Sequence, residues 1–252
     1  GLAARLVDRP PQRRREFQHD ICAMPLEYVP RSKSVYSDLG FILLAFILED
    51  AAATANRSSL TPGAFDPSAS LAEQFHRVAS FLPADPLMFN PPRAWRRQSA
   101  PTEIDHWRGR LLTGEVHDEN CWALGGAAGH AGLFGTAAAV GAFARAVLRT
   151  IRGETILSRP ETLRTFIIRG SVPNSSRALG WDTMLPTSSC GTLMSPSSIG
   201  HVGFTGTSLW IDWERDLYVV LLTNRVHPTR ENNAIREVRP QLHDSVVRNF
   251  AP

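Results

Sequence analysis

The stretch that decides the fold runs from His201 to Pro228, HVGFTGTSLWIDWERDLYVVLLTNRVHP. Its second half, DLYVVLLTNR from Asp216 to Arg225, has the β-branched and apolar composition of a buried strand. Glu214-Arg215-Asp216 makes a tight turn before it. Residues 199–213 and 216–224 therefore read as neighbouring antiparallel strands, and 178–184 as a third strand upstream. Downstream, Glu231 to Phe250 reads as a helix with Ile235, Val238, Leu242, Val246 and Val247 on one face. Pro240 inside it predicts a kink or a split.

Further upstream the texture is helical. Ser37 to about Ala53 contains LGFILLAFILE, apolar on nearly every side, which predicts a helix buried inside a helical subdomain. Leu71, Phe75, Val78 and Leu82 recur at helical spacing. Thr136 stands where it caps a helix that ends before Gly153, and Ser158 with Glu161 forms a capping box for a short helix to about Phe166. Residues 7–16, Pro25–Ser34 and 54–70 read as surface or loop, and 83–105, rich in proline, as surface wrapping. The whole predicts one α+β (mixed α/β) domain over 1–252. Its region 20–170 is mostly helical, and 171–252 holds antiparallel strands and a terminal helix.

Composition narrows the function. The chain has 252 residues, 43% hydrophobic and 20% charged, which suits a folded protein with a large core and excludes a disordered or fibrous one. A net charge of +3 over this length carries no nucleic-acid signature. The three cysteines are far apart, with no C-x-x-C pair for a zinc ribbon or disulfide framework. The longest apolar run, Leu39–Leu48, is too short to span a bilayer, so no transmembrane segment is expected. Lys33 is the sole lysine, so no P-loop exists. The first residue is Gly1 and no leader follows it, which predicts a fragment or a processed product.

Several segments carry candidate chemistry. The glycine-rich turn Gly125–Gly135 lacks the strand and spacing of a nucleotide site. His117, Asp118, Glu119 and His130 lack metal-motif spacing, so a loop held by His and Asp hydrogen bonds is expected and no metal. The remaining two are Tyr36-Ser37-Asp38 at the start of the apolar helix and His201-Val202-Gly203 entering a strand, with the glycine turn between them in order.

At these residues the sequence resembles the serine β-lactamase and penicillin-binding-protein superfamily, most of all its class C-like hydrolases. VYSDLGFILLAFILE (35–49) looks like the Tyr-x-Asn segment, and Gly114–Leu148 like the long central segment. ALGWD (178–182) looks like the strand before the third motif, and 201–228 like the Lys/His-Thr-Gly strand and its successor. The resemblance implies acyl transfer through a serine ester, on an ester, amide or β-lactam, with a small-molecule acyl substrate and no cofactor.

By position it makes Tyr36 the proton-relay phenol, Asp38 an orienting group and His201 the third-motif cation. Gly203 leaves room for substrate, and the Phe204 N–H donates to the oxyanion. Val202 stands where a Thr is usual, so a hydroxyl contact to a substrate carboxylate is lost, which points to an ester or amide without that carboxylate. No Ser-x-x-Lys exists, because Pro30 stands three residues before Lys33. That predicts a chain truncated at its N-terminus and inert alone. The alternative is a catalytically inactive relative that binds a peptidoglycan-like ligand in the same cleft.

Overall fold

A computed structural model describes residues 13–55, 69–82 and 87–250. The expected loop at 54–70 and the polar stretch 7–16 fall largely outside these residues.

The chain opens with helices α1 (Arg13–Cys22), α2 (Asp38–Ala55) and α3 (Leu71–Ala79). Strand β1 (Met88–Phe89), the short helix α4 (Arg93–Arg96), and strands β2 (Pro101–Asp105) and β3 (Arg110–Thr113) follow. Next come α5 (Glu119–Ala123), β4 (Leu133–Phe134), α6 (Ala137–Ile151) and α7 (Pro160–Ile167). The chain then forms β5 (Asp182–Thr183), β6 (Ile199–Gly203), β7 (Thr207–Asp212), β8 (Leu217–Leu222) and α8 (Ile235–Phe250). The last four strands make one antiparallel sheet in the order β5-β6-β7-β8, while β1–β4 and β2–β3 are separate pairs.

Local chemistry explains the sheet. The turn between β7 and β8 closes because the buried Asp212 carboxylate accepts the Arg215 N–H at 3.3 Å and its guanidinium at 2.9 Å. Residues 199–213, expected as one strand, are two. Gly203 to Gly206 turns the chain, with the Gly206 N–H donating to the Gly203 carbonyl at 3.1 Å and Gly206 at φ +111°. Within that hairpin Gly200 faces Trp210, and a Cβ on Gly200 would lie 2.3 Å from the indole.

Each face of the sheet is covered. Helix α6 packs on one, where Ala144, Val147, Leu148 and Ile151 meet Ile199 and Ile211. On the other, Val247 of α8 joins Trp210, Val219, Cys190 and Met194. A second core lies among α1, α2 and Ala123, built on Phe17, Ile21, Ile42 and Phe46.

Several expectations need correction. Helix α2 is not wrapped on all sides: Leu44, Ile47 and Leu48 are exposed. On α8 the buried residues are Ile235, Arg239, His243 and Val247, and Val238 faces out. The helix starts at Ile235, four residues late, and runs through Pro240 unbroken. The capping box fails: Arg159 is the N-cap with no side-chain bond, and Pro160 at the first turn supplies the helical φ. Thr136 does cap α6, accepting from the Ala139 N–H at 3.1 Å. The stretch 83–105 contains β2, whose Glu103 and Asp105 are buried.

Candidate active site

Tyr36 lies near the end of the exposed loop before α2, three residues after the exposed Lys33. His201 comes from β6, across the molecule in sequence, yet the two rings lie 5.6 Å apart. Asp38, the first residue of α2, lies close enough to the Tyr36 hydroxyl for its carboxylate to raise the phenol's pKa. The wall beside Tyr36 is Phe41, at 5.7 Å, on which the glycine turn rests: a Cβ on Gly129 would lie 2.2 Å from the Phe41 carbonyl.

A third side chain joins the pair. The Arg177 guanidinium stacks 5.1 Å over the Tyr36 ring and donates to His201 Nε2 at 3.2 Å. His201 Nδ1 meets the Val202 carbonyl at 2.9 Å. A carbonyl only accepts, so Nδ1 carries the proton, and Nε2, receiving from Arg177, does not. His201 is therefore a neutral imidazole in this arrangement. Burial lowers its pKa, Arg177 lowers it further, and the bond to the Val202 carbonyl with the charges of Asp182 and Asp38 opposes them. The Arg177 guanidinium thus stands beside the neutral ring that the sequence offered as the third-motif cation. Arg177 belongs to no motif in the sequence; its only signal is that it directly precedes ALGWD.

Tyr36 is held as a phenol. Burial, then the neighbouring Asp38 carboxylate, push its pKa well above the usual tyrosine value, and Arg177 only partly offsets them. Asp118 adds to the upward push. That carboxylate caps α5 through the Cys121 N–H at 2.7 Å and meets His130 Nε2 at 2.7 Å. His117 turns instead to Glu103, at 2.8 Å. The two histidines thus bind different carboxylates, and among the described residues no group of three or more metal-ligating side chains is assembled.

The strand positions complete the site. Beyond Gly200, β6 has no partner on the side of β5, so His201, Val202 and Gly203 form an open edge among the described residues. Phe204, 58% exposed, sits between the His117 ring at 5.8 Å and the Arg225 guanidinium at 4.2 Å. A Cβ on Gly203 would lie 2.1 Å from Thr207 Oγ1, so a side chain there would force that hydroxyl to turn aside.

An antiparallel sheet between helical layers, facing a helix that opens on Tyr-Ser-Asp, has the architecture of the serine hydrolases related to penicillin-binding proteins. The family profile described as Beta-lactamase matches residues 1–243, and the chain belongs to that family. A protein of Salmonella gallinarum named "Putative D-alanyl-D-alanine carboxypeptidase" is 34% identical over 223 residues, covering 81% of this chain and 48% of its own. Its Escherichia coli namesake is 33% identical over 225 residues, with the same coverage. The chain thus spans about half the length of the curated relatives it matches. A crystal structure of a beta-lactamase from Mycobacterium bovis superposes with a TM-score of 0.53 at 16% identity, covering 89% of this chain and 67% of that one. That likeness concerns the fold. Among the described residues no helix is long and apolar enough to cross a membrane.

Proposed function

We propose that this chain forms the Tyr–His–Arg side of an acyl-transfer site, acting through a serine ester on a peptide, ester or β-lactam substrate. The observation that carries the reading is the meeting of Tyr36, His201 and Arg177 at the open edge of β6. In this reading the Tyr36 hydroxyl, kept protonated beside Asp38, relays a proton to the leaving group. It becomes a base only when a second cation arrives beside it. Arg177 offers its guanidinium to a substrate carboxylate, where Val202 supplies no hydroxyl. The carboxypeptidase name of the curated relatives supports a substrate that ends in a carboxylate.

The nucleophile is the part this sequence does not hold, since its one lysine has Pro30 three residues before it. The reading therefore assigns Ser-x-x-Lys to polypeptide outside the 252 residues, in keeping with the half-length match. Ligand binding without turnover is the alternative, and one experiment separates the two. The 252-residue chain and the full product of its gene are mixed in turn with p-nitrophenyl acetate and a penicillin.

The 252-residue chain is expected to be inert, because loss of the nucleophile removes on the order of 10⁴-fold or more of the rate. The full product is expected to give a burst of acyl-enzyme. Turnover by the short chain, abolished in Tyr36→Phe, would show that the nucleophile lies within it. A full product that binds penicillin without a burst would favour the binding alternative.

A further inference from the structure

Helix α8 sends one charged side chain into the back of the hairpin. Arg239 is 8% exposed, and its Nη2 donates to the Gly203 carbonyl at 2.7 Å and the Thr207 carbonyl at 2.8 Å. Among the described residues it has no carboxylate partner. A buried guanidinium with only neutral acceptors is a costly way to tie a helix to a sheet, so its charge requires a reason.

The geometry of the turn supplies one. The Gly203 carbonyl is held inward twice, by Arg239 and by the Gly206 N–H at 3.1 Å. The Gly203–Phe204 peptide is trans and planar, so the Phe204 N–H points the opposite way, towards the open edge of β6. The next peptide is also pinned: the Phe204 carbonyl accepts from Arg225 Nε at 2.8 Å. Arg225 spends its Nη1 on the Arg230 and Asn232 carbonyls, so it too has neutral acceptors and no carboxylate among the described residues. A guanidinium on the Gly203 carbonyl also polarises the peptide and makes the Phe204 N–H a stronger donor. Two cations compensated only by carbonyl dipoles favour negative charge at the point where that N–H aims.

We propose that Arg239 is a positioning residue that aims and strengthens the Phe204 N–H as an oxyanion donor, with Arg225 holding the other side of the same residue. The catalytic half of this inference rests on the acyl-transfer reading above; the structural half does not.

The test has two readouts. In the 252-residue chain, ¹⁵N-phenylalanine labelling gives one amide peak for each of the 12 Phe, with Phe204 assigned by Phe204→Leu. Arg239→Met is expected to move the Phe204 peak upfield in ¹⁵N, and to leave Phe17 and Phe46 in the helical core unmoved. In the full gene product the same variant is expected to lower kcat about 100-fold with KM nearly unchanged, the signature of a lost oxyanion donor. Arg239→Lys keeps the charge without the guanidinium fork, and is expected to fall between wild type and Met in both readouts.

An unmoved Phe204 peak, or an unchanged kcat in a wild type that turns over, overturns the proposal. If Arg239→Met unfolds the chain, Arg239→Lys decides: wild-type values of both peak and kcat overturn it. If the peak moves as expected but the wild-type full product forms no acyl-enzyme, the acyl-transfer reading has failed and the structural half stands.

Discussion

At the scale of the residue, the cleft turns on which group carries charge. A family pattern places a cation at the third motif, and position 201 holds the titratable side chain that suits it. The fold half-buries His201, spends its Nδ1 proton on a carbonyl and directs Arg177 at Nε2. Arg177→Met removes both a like charge and the donor to Nε2, so the His201 pKa is expected to rise towards the ordinary histidine value. Burial, the larger cause, remains in the variant. An NMR titration of the imidazole Cε1–H reads this directly, and a pKa that stays or falls would mean Arg177 does not govern the ring.

The same shift has a stability consequence. The folded pKa of His201 lies below its unfolded value of 6.5, as does that of the buried His243. The unfolded chain therefore takes up protons first as pH drops. The stabilisation is full above 6.5 and is lost progressively below it. Tyr36, Asp38 and His201 were legible as candidates because motif order survives in a linear string. Arg177 was not, because a lone arginine among 26 has no pattern until the fold sets it on a ring.

At the scale of the element, the strands of the four-stranded sheet were easier to find than their ends. The apolar alternation across 199–213 runs through the Gly203–Gly206 turn without a break, which hides the hairpin. The glycines held the signal, since Gly206 needs a positive φ and Gly200 leaves no room for a Cβ. Gly200→Ala drives a methyl into the fully buried Trp210 and the Leu209 carbonyl, and is expected to cost about 3 kcal/mol by overpacking. Urea unfolding followed by Trp fluorescence measures it. A loss under about 0.5 kcal/mol, the size of an ordinary surface change, would show that the hairpin adjusts freely. Helix α8 misled for a different reason. A periodicity argument assumes that charged residues face water, whereas the turn carbonyls hold Arg239 inward, Val238 faces out, and Ile235 and Val247 stay buried as expected.

At the scale of the molecule, distant segments are joined by ions as well as by apolar cores. Glu103 on β2 accepts from His117 Nε2 at 2.8 Å, from the Arg230 N–H at 3.0 Å and from Arg230 Nε at 2.8 Å. Arg230 also reaches Glu119 at 2.8 Å. Burial opposes ionisation of Glu103, but the bonds from Arg230 and His117 prevail and pull its pKa from 4.5 to about 2. Its stabilisation is therefore complete above 4.5 and lost as pH falls towards 2. Glu103→Gln is expected to cost about 2 kcal/mol at pH 7, with the gap to wild type narrowing by pH 3. Urea midpoints at the two pH values decide it, and a gap independent of pH would remove the ionic account. His117 and Glu119 of this junction stood out in the sequence, but Glu103 did not, since an acid at an inward position of β2 disguises the strand as a loop and its partner Arg230 lies 127 residues along the chain.

The exposed loop that delivers Tyr36 has a practical consequence. With arginine almost everywhere else, amine-selective reagents find a single side chain, Lys33, three residues from the phenol. An acylating dye therefore marks the mouth of the cleft without any engineered cysteine, the α-amino group apart. Ligand arrival beside Tyr36 then becomes an optical signal, and the protease Lys-C cuts the unfolded chain at that one place.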